Sequence, residues 1–199
     1  MEAQPTRAQM QQRIIEHAMQ DSSFRQKLVD NPRAAVKEFL GVELPSELNL
    51  HVLETTPSQY HIVVPKKPQA IDGMTVDEVR TYLSEGGEVG PHHTLFAKVW
   101  ADPEFQSALN SQPKATIEHE LGLNLPDGVQ VSVHYEDADD LYLVLPLDKE
   151  AHTELSDEEL EMISGGGTPS VLTGLVSAVT FQTVVVSIEE GIDWAISEW

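Results

Sequence analysis

The sequence predicts an α+β fold: two tandem small units, each of helices plus a β-hairpin, followed by a flexible C-terminal segment. Three observations carry that expectation. First, the chain aligns with itself at one constant offset, which lays Asp21 on Asp102, Phe24 on Phe105 and Pro32 on Pro113. The same offset aligns Leu40-Gly41 with Leu121-Gly122, Leu44-Pro45 with Leu125-Pro126, and Pro65 with Pro146, without a gap. Second, apolar spacing inside each repeat changes from a helical period to a period of two. Third, charge divides the chain into blocks: −4 over residues 1–90, −13 over 91–167 and −4 over 168–199. Lys149 is the last basic residue, and half of the stretch 168–199 is apolar. The expected boundaries are a first unit over 1–87, a second over 88–166 and a separate segment over 167–199.

Each repeat reads in the same order. A helical stretch (Ile14, Ile15, Ala18, Met19; Leu95, Phe96, Val99, Trp100) precedes a short segment around Phe24 or Phe105. Pro32 and Pro113 sit where proline suits a first helical turn, and Gly41 and Gly122 stand where that helix must stop. Alternating residues Leu48, Leu50, Val52 and Val129, Val131, Val133 predict a strand. A polar turn (Thr55–Gln59; Glu136–Asp140) leads to a second strand, Tyr60–Val64 or Leu141–Leu145, and the pair reads as a hairpin. Two strands alone are marginal, so helices are expected to cover one face. Last come Thr75-x-x-Glu78 and Ser156-x-x-Glu159, which carry the hydroxyl and carboxylate of a capping box. The second of these opens a helix with an apolar stripe of Leu155, Leu160 and Ile163 among Asp157, Glu158, Glu159 and Glu161, closed by Ser164-Gly165-Gly166-Gly167.

Composition removes several chemistries. With 12 Lys+Arg against 33 Asp+Glu, the net charge is −21, which repels a phosphate backbone, so no nucleic-acid partner is expected. No cysteine is present, which removes disulfides, thiolate metal sites and cysteine nucleophiles. The polar start MEAQPTRAQM lacks the apolar core of a secretory signal, so the chain is expected to be cytoplasmic. The eight histidines (17, 51, 61, 92, 93, 119, 134 and 152) include no helical His-x3-His pair and read as isolated polar groups. Asp137, Asp139 and Asp140 lack the Gly and distal Glu of a calcium loop and read as a solvated turn. No metal, cofactor or catalytic residue is expected.

The second repeat resembles a known family. Asp102-Pro-Glu-Phe, Pro113, Leu121-Gly122-Leu-Asn-Leu-Pro126, Val129-Gln-Val-Ser-Val and Leu141-Tyr-Leu-Val-Leu-Pro146 are similar to the nitrile-hydratase-like leader peptides of proteusin-type precursors. Those are precursors of ribosomally made, post-translationally modified peptides. Leu155-Ser-Asp-Glu-Glu-Leu160-Glu-Met-Ile163-Ser-Gly165-Gly166 resembles the double-glycine leader end cut by peptidase-containing transporters. In such leaders apolar residues stand fourth, seventh and twelfth before the cut. Counted from Gly166, those positions are Ile163, Leu160 and Leu155; counted from Gly167, they are Ser164, Glu161 and Ser156. The resemblance therefore implies a cut at Gly166–Gly167. Counted from Gly87, the residues are Ser84, Thr81 and Val76, of which only the last is apolar, so Gly86-Gly87 reads as a relic linker or a weak second site. The hydratases of this fold hold cobalt or iron through a cysteine cluster, and a chain without cysteine cannot.

The resemblance implies a non-catalytic precursor. Its leader would recruit modifying enzymes and a peptidase-containing ABC transporter, and its core over 167–199 would be exported. A non-catalytic tandem-domain adaptor is the alternative. Val171–Ile188 carries no charge, yet it is interrupted by Ser, Thr and Gln and lacks flanking Lys or Arg. No stable membrane insertion of the leader is expected. Sulfur bridges within the core are impossible without Cys. Dehydration, heterocyclisation or cross-linking remain open at Ser170, Thr173, Ser177, Thr180, Thr183, Ser187, Trp194 and Trp199, as does epimerisation of the Val, Ile or Ala residues.

Overall fold

A computed structural model describes residues 7–84, 91–122 and 124–147. Its elements are α1 (Arg7–Gln20), α2 (Ser22–Asp30), α3 (Pro32–Leu40), β1 (Asn49–Glu54), β2 (Gln59–Val64) and a 3-10 turn (Gln69–Ile71). There follow α4 (Val76–Ser84), α5 (Pro91–Ala101), α6 (Pro103–Ser111), α7 (Pro113–Leu121), β3 (Gln130–Tyr135) and β4 (Asp140–Leu145). The fold is α+β, as the periodicity predicts. Elements recur at the offset of the sequence repeat: α2 with α6, α3 with α7, β1 with β3 and β2 with β4 start and end at equivalent residues.

Local chemistry fixes the helix ends. The Asp21 carboxylate accepts from the Phe24 N–H at 3.0 Å, and Asp102 accepts from Glu104 and Phe105, both at 3.0 Å. Pro32 and Pro113 each open a helix. Gly41 (φ 72°) and Gly122 (φ 64°) end those helices in the left-handed conformation that costs a side-chain-bearing residue about 1–2 kcal/mol. The Thr75 hydroxyl and N–H both donate to Glu78 Oε2 at 2.8 Å, the capping box read from the first repeat. Arg33 donates to the Leu44 and Pro45 carbonyls, and Lys114, its counterpart in the second repeat, donates to the Pro126 carbonyl. Both cations tether the loop that launches the next strand.

The strands do not form hairpins. β1 pairs in parallel with β4 (Asn49 beside Asp140 through Glu54 beside Leu145), and β2 pairs in parallel with β3 (Gln59 beside Gln130 through Val64 beside Tyr135). Each repeat therefore lends its second strand to the first strand of the other, and the two exchanged pairs have equivalent registers. Alternation specifies which face of a strand is buried, not which strand lies beside it. The connecting turns Thr55-Thr-Pro-Ser58 and Glu136-Asp-Ala-Asp139 also lack the Asn-Gly or Asp-Gly that closes a tight hairpin.

Exchange also mixes the cores. Leu143 and Leu145 of β4 pack with Ile14, Phe24, Leu28, Ala35 and Val36 of the first repeat's helices. Ile62 and Val64 of β2 pack with Leu95, Val99, Leu109 and Ile117 of the second's. Polar ties reinforce the crossing. Arg25 donates to Glu54 Oε1 at 3.0 Å and to the Pro146 carbonyl at 2.9 Å, and Trp100 Nε1 donates to the Pro65 carbonyl at 3.1 Å.

Candidate functional site

The residues the sequence singles out for cleavage (Gly165, Gly166, Gly167), for peptidase recognition (Leu155, Leu160, Ile163) and for modification (Ser170 through Trp199) lie outside the described residues. So do Gly86-Gly87 and the capping box at Ser156. Three features of the described residues bear on function: an apolar groove, a histidine cluster and the seat of α4.

The groove encloses about 500 Å³ and is lined by α1, α3, β1, β4, residues 66–70 and Tyr82 of α4. Met10 and Ile14 form one wall, Val36 and Leu40 a second, and Leu50, Leu141 and Leu143 the floor. At one end Arg7 pairs with Glu136, whose carboxylate also accepts from the Tyr142 N–H at 3.2 Å. The volume lies within the range that admits a ligand or a partner's side chains. At the equivalent place in the second repeat Tyr60 stands where Leu141 stands in the first. It is 6% exposed and packs with Leu125 and Val129. Burial raises the Tyr60 pKa above its ordinary value. A phenol ring is thus buried at the position where the groove's floor presents Leu141.

The histidine cluster arises from strand exchange. His61 Nδ1 lies 3.1 Å from His134 Nε2 across the β2–β3 pair. His51 Nε2 lies 2.6 Å from Asp140 Oδ1 across β1–β4. The Tyr142 ring joins the two, with centroids 4.8 Å from His51 and 5.1 Å from His134. The expectation of isolated histidines is therefore corrected for these three. His134 is distant in sequence from His51 and His61, 73 residues from the latter, and meets them because the strands trade partners. Burial lowers the pKa of His61 and His134, and the charges of His61 and His51 lower that of His134 further. Among the described residues no group of three or more His, Asp or Glu side chains is arranged to hold a metal ion. Asp137 Oδ1 accepts from the Asp139 and Asp140 N–H groups at 2.8 Å, so this acidic turn binds its own backbone.

The third feature is α4, which packs on α5. Ile71, Val79, Leu83, Phe96 and Ala97 form a buried cluster, each no more than 6% exposed, with Met74, Tyr82 and Trp100 around it. No helix among the described residues is long and apolar enough to cross a membrane.

Comparisons with known proteins identify relatives of the chain. Residues 17–92 match the family described as nitrile hydratase, alpha chain. The chain is similar to polytheonamide B of Bacterium symbiont subsp. Theonella swinhoei (strain pTSMAC1), 31% identical over 96 residues, which are 45% of this chain and 66% of that protein. It is also similar to the high-molecular weight cobalt-containing nitrile hydratase subunit alpha of Rhodococcus rhodochrous, 26% identical over 72 residues and 36% of either chain. Among solved structures, an Fe-type nitrile hydratase from Comamonas testosteroni Ni1 matches at 23% identity with a TM-score of 0.46. That match covers 84% of this chain and 71% of the other. The chain thus spans about two thirds of the first relative and about a third of the second. A thiolate metal centre does not fit here, because no residue of the chain supplies a thiolate. The chain belongs to the nitrile hydratase alpha-like family, as a member without cysteine.

Proposed function

We propose that the chain is a precursor peptide: the two repeats over 1–166 act as the leader and residues 167–199 are the core released from it. The observation that carries this reading is the likeness to polytheonamide B, joined to the Leu155, Leu160, Ile163 stripe that ends in Gly165-Gly166. The absence of cysteine supports a substrate's part over a hydratase's.

In this reading the folded repeats recruit the modifying enzymes, and the open groove beside α1 and α3 is their docking face. The capped helix enters a groove of the transporter's peptidase with its apolar stripe inward. That binding draws the small residues Gly165-Gly166 into the active-site cleft, where the absence of side chains lets an extended backbone pass. The nucleophile belongs to the partner. The acidic second repeat also keeps an apolar core in solution. Modification falls on hydroxyl or aromatic side chains among Ser170, Thr173, Ser177, Thr180, Thr183, Ser187, Trp194 and Trp199.

Intact-mass measurement tests the reading. The full chain incubated with the peptidase domain of a double-glycine-cutting transporter is expected to yield a fragment ending at Gly166. Leu160→Glu should slow that cut at least about tenfold, the equivalent of losing about 1.4 kcal/mol of docking. Recovery of only full-length, unmodified chain would favour a tandem adaptor instead.

A further inference from the structure

His61 and His134 turn ring nitrogens toward each other across the parallel β2–β3 pair, Nδ1 to Nε2, at 3.1 Å. Zinc holds an imidazole nitrogen at about 2.0–2.1 Å, and tetrahedral angles then set two such nitrogens about 3.3 Å apart. The pair already stands close to the bite that one ion requires. The His61 ring also donates to the Glu54 backbone carbonyl. A neutral imidazole has one N–H, so spending it there leaves the nitrogen that faces His134 bare. A carbonyl that takes the other N–H is the usual partner of a metal-ligating histidine. Both rings are half-buried, and burial holds their pKa values down, which keeps them neutral and able to ligate at neutral pH. Burial first, then the charges of Asp140, Asp137 and Glu136, raise the pKa of the adjoining Tyr142, so the field beside His134 favours a cation. The other exchanged strand pair carries Tyr142 and Leu53 at the equivalent positions.

We propose that His61 and His134 form a two-imidazole site for a divalent cation of the zinc class, which staples β2 of the first repeat to β3 of the second. Imidazole suits such ions, whereas magnesium and calcium take oxygen ligands. Among the described residues no third His, Asp or Glu joins the pair as a ligand, and His51 spends its Nε2 on Asp140 Oδ1 at 2.6 Å. Water therefore completes the coordination. In the bound form His134 carries its proton on Nδ1, so binding moves a proton within one ring and releases none. The site uses no sulfur, so the absence of cysteine does not touch it. Because the ligands come from different repeats, an ion held there favours the exchanged fold over the unfolded chain. The inference is independent of the precursor reading.

Zinc titrated calorimetrically into the full chain, first stripped with a chelator, tests the site. One ion should bind per chain, and His61→Phe or His134→Leu should each weaken that binding at least about tenfold. His119→Ala, on α7, should leave it unchanged. Saturating zinc should raise the urea midpoint of wild type and of His119→Ala, and of neither strand variant. Should the strand variants fail to fold, wild type alone decides the matter by imidazole nitrogen NMR. There zinc should shift His61 Nδ1 and His134 Nε2 before the nitrogens of any other histidine; shifts confined to other histidines would refute the assignment. Magnesium at the same concentration should not compete, and competition by it would point to a carboxylate site instead. No zinc binding by wild type would overturn the proposal. So would equal binding by wild type and both strand variants, which would mark zinc as an adventitious ion on surface carboxylates and exposed histidines.

Discussion

Replacing Ile14 and Leu143 by alanine, singly and together, measures strand exchange directly. Ile14 lies on α1 of the first repeat and Leu143 on β4 of the second, yet they share one core at 5% and 1% exposure. Each truncation removes a buried aliphatic side chain and should cost about 3 kcal/mol, at the lower end of the usual range because the neighbouring groove lets the site relax. With a urea slope of about 2 kcal/mol/M, each single variant should unfold at about 1.5 M less urea. Because the two side chains share a cluster, the double variant should lose about 1 kcal/mol less than the sum of the singles. Leu95 supplies the control. It occupies Ile14's position one repeat later and packs with Ile62, a β2 residue. A hairpin fold would place Leu143 beside Leu95, so the Leu95–Leu143 cycle would couple and the Ile14–Leu143 cycle would not. That outcome in urea titrations of the full chain would refute the parallel pairing.

Two further predictions concern the asymmetric features. Leu141→Tyr copies into the open groove the ring that fills its counterpart. It should raise stability by about 1 kcal/mol as a cavity-filling change, while abolishing binding of any modifying enzyme that docks there; unchanged binding measured by calorimetry would exclude the groove as the docking face. The histidine cluster predicts a pH dependence. His61 and His134 titrate below 6.5 in the fold, lowered chiefly by burial. Between their folded values and 6.5 the unfolded chain binds more protons, so their contribution is complete above about 6.5 and falls as pH drops through the folded values. His51, Asp140, Tyr142 and the Glu54 backbone are the groups around them. Urea midpoints between pH 8 and pH 5 should fall less steeply for His61→Tyr with His134→Leu, which installs the residues found at the equivalent positions. An unaltered slope would show that the pair is not the cause.

Local signals were legible because they are written in neighbouring residues. Pro32 and Gly41, like Pro113 and Gly122, bracket helices whose ends fall where the sequence puts them, and Thr75 and Glu78 make the capping box their spacing suggests. Strand positions were equally plain, since Tyr60, Ile62 and Val64 alternate with more exposed neighbours. Strand partners were not. A period of two in β1 is satisfied as well by the next strand, which starts at Gln59, as by the distant one that starts at Asp140. The missing turn glycine in Thr55–Ser58 was the available hint. Once the partners are misassigned, His61 and His134 cannot be brought together, and the groove floor of Leu50 with Leu141 and Leu143 cannot be foreseen. The cleavage and core residues were implied by the resemblance to double-glycine leaders and lie outside the described residues.

The exchange of strands gives the repeat its functional logic. Two copies bound only by a linker could each keep an open groove and an available helix, and a partner would meet two equal sites. Because β2 and β4 are traded, neither copy completes its core without the other, and the copies can specialise without separating. The first repeat retains the open groove, which Leu141 leaves unfilled, and holds α4 down through Ile71, Val79 and Leu83. The core that receives β2 instead buries Tyr60 against Leu125 and Val129. If the chain is a precursor as proposed, a substitution at the groove is expected to alter enzyme recruitment without altering the cut, and one on the Leu155, Leu160, Ile163 stripe to do the reverse.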